Sequence, residues 1–494
     1  MTEKIPSPPE VKPDTAPLPA MRSARRMRIR AAAAVMAGRA TGIATRRLRF
    51  GGGTSLPGLV ARAIDPQLSS YLSAQLRHGA VVITGTNGKT TTSGLVGCVF
   101  REGGLRVWRN REGSNLARGI ATALLMRASA AGALHERGDA AFVFEVDEAA
   151  FPRVVADLKP RSIAITNLFR DQLDRYGEVD IVAERWRDSL QTLPPGATLA
   201  LNADDPAVAA LADSFAGDVI YFGVEDAPDI SAQAERVQTI DTRTCPRCRG
   251  TLVYSRRFYS HVGHWACPQC GFARPQPAVS ARAIMLSSLD QSRFELFLPD
   301  GMSPVVVALP GLYNVYNALA AAAVGSAAHL PADTIRRGIR RFSPAFGRAE
   351  RIEVNGRVCH ILLAKNPTGI NEVLRALTSD GARHHLLMLL NDRAADGEDV
   401  SWIWDADIEQ APPIAARIVT GGTRAYDLAI RLKYAGRAPD AVEQDIGRAL
   451  AVALEDTPVG ETLYIIPTYT AMLAVRGELA RQGFAPHYWE QEDA

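Results

Sequence analysis

The stretch that most constrains the fold is Val81-Val82-Ile83-Thr84-Gly85-Thr86-Asn87-Gly88-Lys89-Thr90-Thr91-Thr92. Apolar β-branched residues run into a Gly-containing turn, then a lysine and three hydroxyls, then a helical run from Ser93 to Phe100. Strand, tight loop and helix N-terminus in that order aim backbone N–H groups and the helix dipole at an anion. Lys89 adds a point charge, and the Thr90 hydroxyl is placed to hold Mg²⁺. The common phosphate-loop pattern would put its first glycine at Ile83, so this loop is a variant of it. The bland alternative is a capped helix that follows a strand and carries a surface lysine.

A chain of 494 residues has material for roughly two to four domains with buried cores. Its apolar, charged and aromatic fractions are those of a globular protein. A net charge of +3 does not by itself suggest nucleic acid, and no nucleic-acid partner is expected. No apolar run is long enough to span a bilayer, and the N-terminus lacks the apolar core of a secretory signal.

Residues 1–20, rich in Pro, Lys, Glu and Ser, read as a disordered tail, and residues 21–78 as an N-terminal helical and Gly-rich segment. Its basic helix, with Arg22, Arg25, Arg26, Arg28 and Arg30, could touch anionic lipid or phosphate. It could equally be a solvated helix packing an Ala face on the core. The loop Gly51-Gly-Gly-Thr-Ser-Leu-Pro-Gly58 is weak evidence taken alone.

From about residue 79 strands and helices alternate. Short apolar runs at 80–84, 141–146, 161–166, 197–201 and 218–223 are separated mostly by helical stretches. This predicts an α/β unit over 79–346, a parallel sheet buried on both faces with ligands at the strand C-terminal ends. Those ends carry Thr84, Glu145, Asn167 and Asn202.

Residues 241–275 break the scheme. Cys245-Pro-Arg-Cys248 and Cys267-Pro-Gln-Cys270 stand eighteen residues apart, with Gly250 and Gly271 beyond the pairs. Two such knuckles offer four thiolates to one tetrahedral Zn²⁺, with a hairpin between them. Two redox pairs would need a thioredoxin-like strand–helix setting that is absent. His261 and His264 are surplus to a Cys₄ site. A structural insert is favoured over a nucleic-acid reader, because it shows no basic patch beyond Arg243, Arg247, Arg249, Arg256 and Arg257.

A strand at 305–309 precedes Gly311-Leu-Tyr-Asn314-Val-Tyr-Asn317, where the two asparagines share a helix face. Pro344 to Arg348 reads as a linker. Beyond it, residues 347–494 form a second, smaller Rossmann-like α/β unit, with strands near 350–354, 358–363, 385–390, 416–420 and 462–466.

These motifs together resemble the Mur ligase family, an ATPase domain followed by its C-terminal domain. On that resemblance Gly85, Thr86, Asn87, Gly88, Lys89, Thr90 and Thr91 form the ATP loop, and Thr90 and Glu145 hold Mg²⁺. Asn314 and Asn317 lie on the adenine side, and Arg348 approaches ATP from the linker. Asn202-Ala-Asp204-Asp205 also matches. Three positions depart: Gln172 replaces a second-metal His, Arg185 or Arg187 replaces a carbamylated lysine, and Leu363-Ala-Lys365-Asn-Pro replaces an acidic segment. An arginine could stand in for the carbamate's partner charge.

The departures resemble one branch, the MurT family. It shares the Gly-rich start, the Cys₄ insert, Asn110-Arg-Glu-Gly-Ser-Asn115, Asp171-Gln-Leu-Asp174-Arg-Tyr-Gly, and the motif from Asn391 to Asp405. The segment ahead of residue 79 is also shorter than the nucleotide-sugar domain of UDP-precursor ligases, which favours a lipid-linked substrate. The resemblance implies ATP-dependent amidation of the D-isoglutamate α-carboxylate of lipid II through an acyl phosphate. Lys365 would stabilise the transferred phosphate, and ammonia would come from a GatD-like glutaminase subunit in a heterodimer. Asp405, with Asp399 second, would complete that partner's Cys–His triad. A cytoplasmic protein at the inner face of the membrane is expected. The alternatives are a folylpolyglutamate synthase-like amino-acid ligase and a non-catalytic nucleotide-binding scaffold with a zinc ribbon.

Overall fold

The computed structural model describes residues 18–47, 55–110, 114–135, 139–169, 179–227, 244–286, 290–343, 348–378 and 381–486. Its strands are β1 (Ala80–Thr84), β2 (Arg106–Arg109), β3 (Ala140–Glu145), β4 (Ser162–Ile165), β5 (Thr198–Asn202) and β6 (Asp218–Val224). There follow β7 (Val253–Tyr259), β8 (Val262–Ala266), β9 (Val279–Met285), β10 (Ser292–Leu298) and β11 (Gly301–Val307). The last group is β12 (Arg348–Val354), β13 (Arg357–Leu362), β14 (His384–Leu389), β15 (Ala415–Gly421), β16 (Ala441–Glu443) and β17 (Thr462–Pro467).

Nine strands form the first sheet, in the order β11-β10-β9-β6-β5-β4-β1-β3-β2. From β2 to β9 the pairs are parallel, and β9-β10-β11 close the edge as an antiparallel meander. The expected parallel sheet is thus formed by β1 to β6 and β9, and the meander extends it at one edge. Strand β10 shows why: its buried and exposed residues alternate, the mark of a strand covered on one face only. By contrast β1, β3 and β4 are buried throughout, because helices cover both sides.

Chain order reverses at β1, whose neighbours are β4 and β3. Such a switch point opens a crevice beyond the strand C-termini. Helix Lys89–Glu102 starts in that crevice and packs on helix Leu312–Ala327. Ala318 and Ala320–Ala323 are fully buried there, and their small side chains let the backbone sit close to the sheet.

The second sheet runs β12-β13-β17-β14-β15-β16, parallel except for the β12-β13 hairpin. The hairpin β7-β8 stands apart from both sheets, in the predicted zinc insert. The N-terminal helix starts at Leu18, inside the expected tail, and runs to Arg47. It packs on helix Leu56–Ile64, where a Cβ on Gly58 would overlap the Arg118 carbonyl. The expectations for residues 1–17, for the Gly-rich loop at 51–54 and for the linker at 344–347 lie outside the described residues.

Candidate active site

A cleft of about 450 Å³ lies between the two sheets. The phosphate loop lines one wall, from Thr86 to Thr91, with Glu145, Asn167, Asn314 and Asn317. The second sheet supplies the other wall from its strand C-terminal ends: Leu363 to Lys365 after β13, Ala394 and Ala395 after β14, and Tyr469 after β17. Asn366 ties the walls together, its amide donating to Asn87 Oδ1 at 3.0 Å.

The loop is held from below by the end of β4. Asn167 accepts from the Asn87 backbone N–H at 2.8 Å, and Thr166 donates to the Asn87 carbonyl at 2.8 Å. Thr86 Oγ1 takes the Phe169 N–H at 2.9 Å. Gly88 adopts φ +86°, and a Cβ there would overlap Asn317 Oδ1. Gly85 does not line the cleft; its carbonyl accepts from the Lys89 ammonium at 2.6 Å. Asn317 in turn donates to Asn314 Oδ1 at 3.0 Å, so the predicted helix face is real.

Lys89 is buried and forms an ion pair with Glu148 at 3.0 Å. The Thr90 hydroxyl donates to Glu145 Oε2 at 2.5 Å, which brings the two expected Mg²⁺ ligands together. Asn110 pins the Glu145 backbone, accepting from its N–H and donating to its carbonyl, each at 2.9 Å. A hydroxyl and a carboxylate at the start of a helix are hard oxygen donors of the kind Mg²⁺ takes.

Sequence reasoning does not single out Glu148 or Glu372. Glu148 lies three residues beyond Glu145, yet its partner Lys89 lies 59 residues away. Glu372 lines the cleft from helix Pro367–Thr378; burial pushes its carboxyl up, against the pull of Arg375 at 2.9 Å. Arg375 also donates to the Phe258 carbonyl at 2.9 Å, joining the second sheet's helix to the insert.

Other expected residues lie elsewhere. Gln172, Asp171 and Asp174 fall outside the described residues, as does the Arg348 side chain. Arg185 is exposed, Arg187 is half-buried, and neither lines the cleft. The residue that meets Lys89 of the loop is Glu148.

The four cysteines gather in the insert, their sulfurs all within 4.8 Å of one another. The Cys245–Cys270 and Cys248–Cys267 sulfurs lie 3.6 and 3.5 Å apart. Tetrahedral ligation at about 2.3 Å per bond sets sulfurs roughly 3.8 Å apart, so the cluster fits a closed Cys₄ metal site. The knuckles match: Cys245 donates to the Gly250 carbonyl and Cys267 to that of Phe272, each at 2.7 Å. The left-handed positions are Arg249 and Gly271, not Gly250. Three insert arginines form exposed ion pairs, with Asp213 (Arg247), Asp180 (Arg249) and Asp226 (Arg256). Trp265 Nε1 donates to the Ala203 carbonyl, and Arg274 pairs with the buried Asp204.

The Asp-rich motif follows β14. Thr470 donates to Asp396, which is buried, while Arg424 and Thr423 hold Asp392 and draw its carboxyl down. Asp399 accepts the Ser401 N–H at 2.8 Å, just ahead of the 3₁₀ turn Ser401–Trp404. Asp405 closes that turn and is exposed beside Trp404. Neither Asp399 nor Asp405 lines the cleft.

Comparison with known proteins gives the same reading from sequence. Residues 83–245 match the Mur ligase middle domain, and residues 363–472 match the MurT ligase C-terminal family. The MurT subunit of the glutamine-hydrolysing lipid II isoglutaminyl synthase of Staphylococcus aureus is 36% identical over 87% of this chain and 93% of its own length. The Streptococcus pneumoniae subunit of the same name is 33% identical, over 92% and 98%. A pseudomurein peptide ligase from Methanothermus fervidus shares the fold, with TM-score 0.63 and 23% identity over 83% of this chain and 80% of that one. The chain is a ligase of the Mur ligase family and belongs to its MurT branch.

Proposed function

We propose that this enzyme amidates the α-carboxylate of D-isoglutamate in the lipid II stem peptide, using ATP and ammonia. The observation that carries the reading is the cleft itself, where the phosphate loop faces Lys365 across the two sheets. The relatives named as lipid II isoglutaminyl synthase subunits supply the substrate.

A carboxylate oxygen would attack the γ-phosphorus and ADP would leave, giving an acyl phosphate. Ammonia would then attack the carbonyl carbon, lose a proton, and expel inorganic phosphate. Phosphoryl transfer asks the protein for positioning and charge neutralisation more than for covalent help. Backbone N–H groups of residues 85–90 and Lys89 would hold the β and γ phosphates, with Asn314, Asn317 and Arg348 toward the nucleoside. Thr90 and Glu145 would hold Mg²⁺, which when bound neutralises phosphate charge. Lys365 would meet the transferred phosphate from the opposite wall. Zn²⁺ in the insert would be structural.

Ammonia needs a separate glutaminase. Cys359 is fully buried and burial pushes its thiol up to about 12; burial also raises the Cys98 thiol. Neither suits a thiolate nucleophile. A GatD-like subunit would dock where Tyr426, Ile430 and Tyr434 stand four apart along helix Ala425–Tyr434, all more than half exposed. The Trp404 ring lies 5.6 Å from that of Tyr434, and exposed aromatics so grouped suit an interface. Asp405 adjoins this patch and would orient the partner's histidine. Asp399 is the second candidate. No helix among the described residues is long and apolar enough to cross a membrane, which fits a cytoplasmic enzyme reaching lipid II at the inner face.

The test is amidation of lipid II with ATP and Mg²⁺, given ammonium or glutamine, with and without a GatD-like subunit. Mass spectrometry reads the roughly one-dalton loss as acid becomes amide. Product from ammonium alone, and from glutamine only with the second subunit, is the expected result. No amide under any condition, with ATP hydrolysis stimulated by folates or amino acids, overturns the reading.

A further inference from the structure

The 50 residues from Thr15 to Ile64 contain ten arginines and no Asp, Glu or Lys. That segment carries +10 in a chain whose total is +3, so the rest of the protein is at −7. The helix Leu18–Arg47 buries Ala31, Ala34 and Val35 against its neighbours. Its opposite face is not polar. Ile29, Ala33, Met36, Ala40 and Ile43 are exposed in steps of three and four, and Ile29, Met36 and Ile43 are each more than half exposed. Arg28, Arg30 and Arg47 stand exposed at the ends of this row. The packed partner helix Leu56–Ile64 repeats the pattern, with Leu56, Leu59 and Ile64 turned outward.

A surface helix normally turns charge to water and apolar residues to the core. Here both faces of one helix are apolar and the flanking charge has a single sign. We infer that this helix pair is a docking face for an anionic lipid surface, with the isoleucine–methionine row entering the headgroup boundary and the arginines meeting lipid phosphates. Shallow insertion of an apolar row together with attraction of basic side chains is how interfacial helices bind. A second copy of the chain is a poor occupant, because a self-facing contact would press like charges together. The inference does not depend on the amidation chemistry, though a lipid-linked substrate would profit from it.

The experiment is co-sedimentation of the full chain with vesicles that contain no lipid II. One set is phosphatidylcholine with phosphatidylglycerol, the other phosphatidylcholine alone. Binding to the anionic set, at least about tenfold weaker on the neutral set and weakened by salt, is expected. The variant Ile29→Ser/Met36→Ser/Ile43→Ser should lose binding by about tenfold or more with an unchanged melting temperature, since these side chains are exposed. Equal binding by wild type and variant overturns the inference, as does no binding at all. So does a variant whose defect is confined to self-association by light scattering or to capture of a second subunit.

Discussion

The Lys89 ammonium lies 3.0 Å from the Glu148 carboxylate, with both side chains less than a tenth exposed. A charge pair so enclosed is costly to break from one side, because the remaining partner is left buried and uncompensated. In this loop the remaining partner would be the lysine proposed to meet phosphate.

Glu148→Ala should therefore lower the stability of the nucleotide-free protein by about 3–5 kcal/mol. A nucleotide that brings phosphate to Lys89 restores the missing negative charge. The rise in melting temperature on adding a non-hydrolysable ATP analogue should be larger in the variant than in wild type. Equal shifts would mean that Glu148 and phosphate do not share the lysine.

Gly88→Ala should damage the loop twice over. The φ of +86° costs an L-residue roughly 1–2 kcal/mol, and the new Cβ would overlap Asn317 Oδ1, which holds its place through Asn314. ATP affinity, measured by titration calorimetry, should fall by at least about tenfold. The second sheet should be untouched, so a control substitution such as Gly477→Ala, at an ordinary helical φ with no atom near the new Cβ, should leave affinity unchanged.

Much of this site is legible in the linear sequence, for a physical reason. Strand β1, the loop and the helix at Lys89 are contiguous, and local geometry alone aims Thr90 at an anion. The four cysteines are legible because metal ligation demands fixed residue types at short spacings. The Lys89–Glu148, Asn87–Asn366 and Arg375–Phe258 contacts are not, since each depends on how distant elements pack. Among the strands, β2, β9, β10 and β16 escape the reading given above. β2 is four residues of mixed exposure and β16 only three, too short for a pattern. β10 does alternate, but its neighbour β9 follows the zinc insert and exposes much of its second half.

Removing metal should unfold the insert locally before it unfolds the sheet. Cys245, Leu252, Trp265, Cys267 and Phe272 form a small core against Ala209 and Ala210, with two of the four clustered cysteines in it. The protein as purified should release one Zn²⁺ per chain to a chelator under denaturing conditions, read by a colorimetric indicator. Cys245→Ser should shift the Trp265 fluorescence and weaken ATP binding through Tyr259, which the insert places in the cleft wall. Metal-free protein with full nucleotide affinity would show that the insert is energetically separate.

Asp399 and Asp405 make different predictions. Asp399 accepts the Ser401 N–H, and losing one such hydrogen bond costs about 1 kcal/mol, so Asp399→Ala should lower stability by that amount. Asp405→Asn, isosteric and exposed, should leave stability and ammonium-dependent amidation intact. Glutamine-dependent amidation with the second subunit should fall by about 10²–10⁴-fold, the range for losing the orienting member of a triad. Parallel loss of both activities would assign Asp405 to the synthetase chemistry instead.

His360 sets an acid limit on the second sheet. It sits on β13, 1% exposed, its ring 5.6 Å from that of Tyr464. Burial, aided by the Arg351 charge, lowers it from the usual 6.5 to about 4. A depressed folded-state value means that the neutral imidazole is the form the fold accepts. Its stabilising share is complete above about pH 6.5 and is lost as the pH falls toward 4, because the unfolded chain takes up the proton first. The loss across that window is about 2–4 kcal/mol for this one residue. His360→Phe, which keeps the ring and removes the titration, should flatten the melting temperature between pH 6.5 and 4 relative to wild type. Identical acid slopes in the two proteins would show that His360 is already protonated, or already exposed, in the folded state.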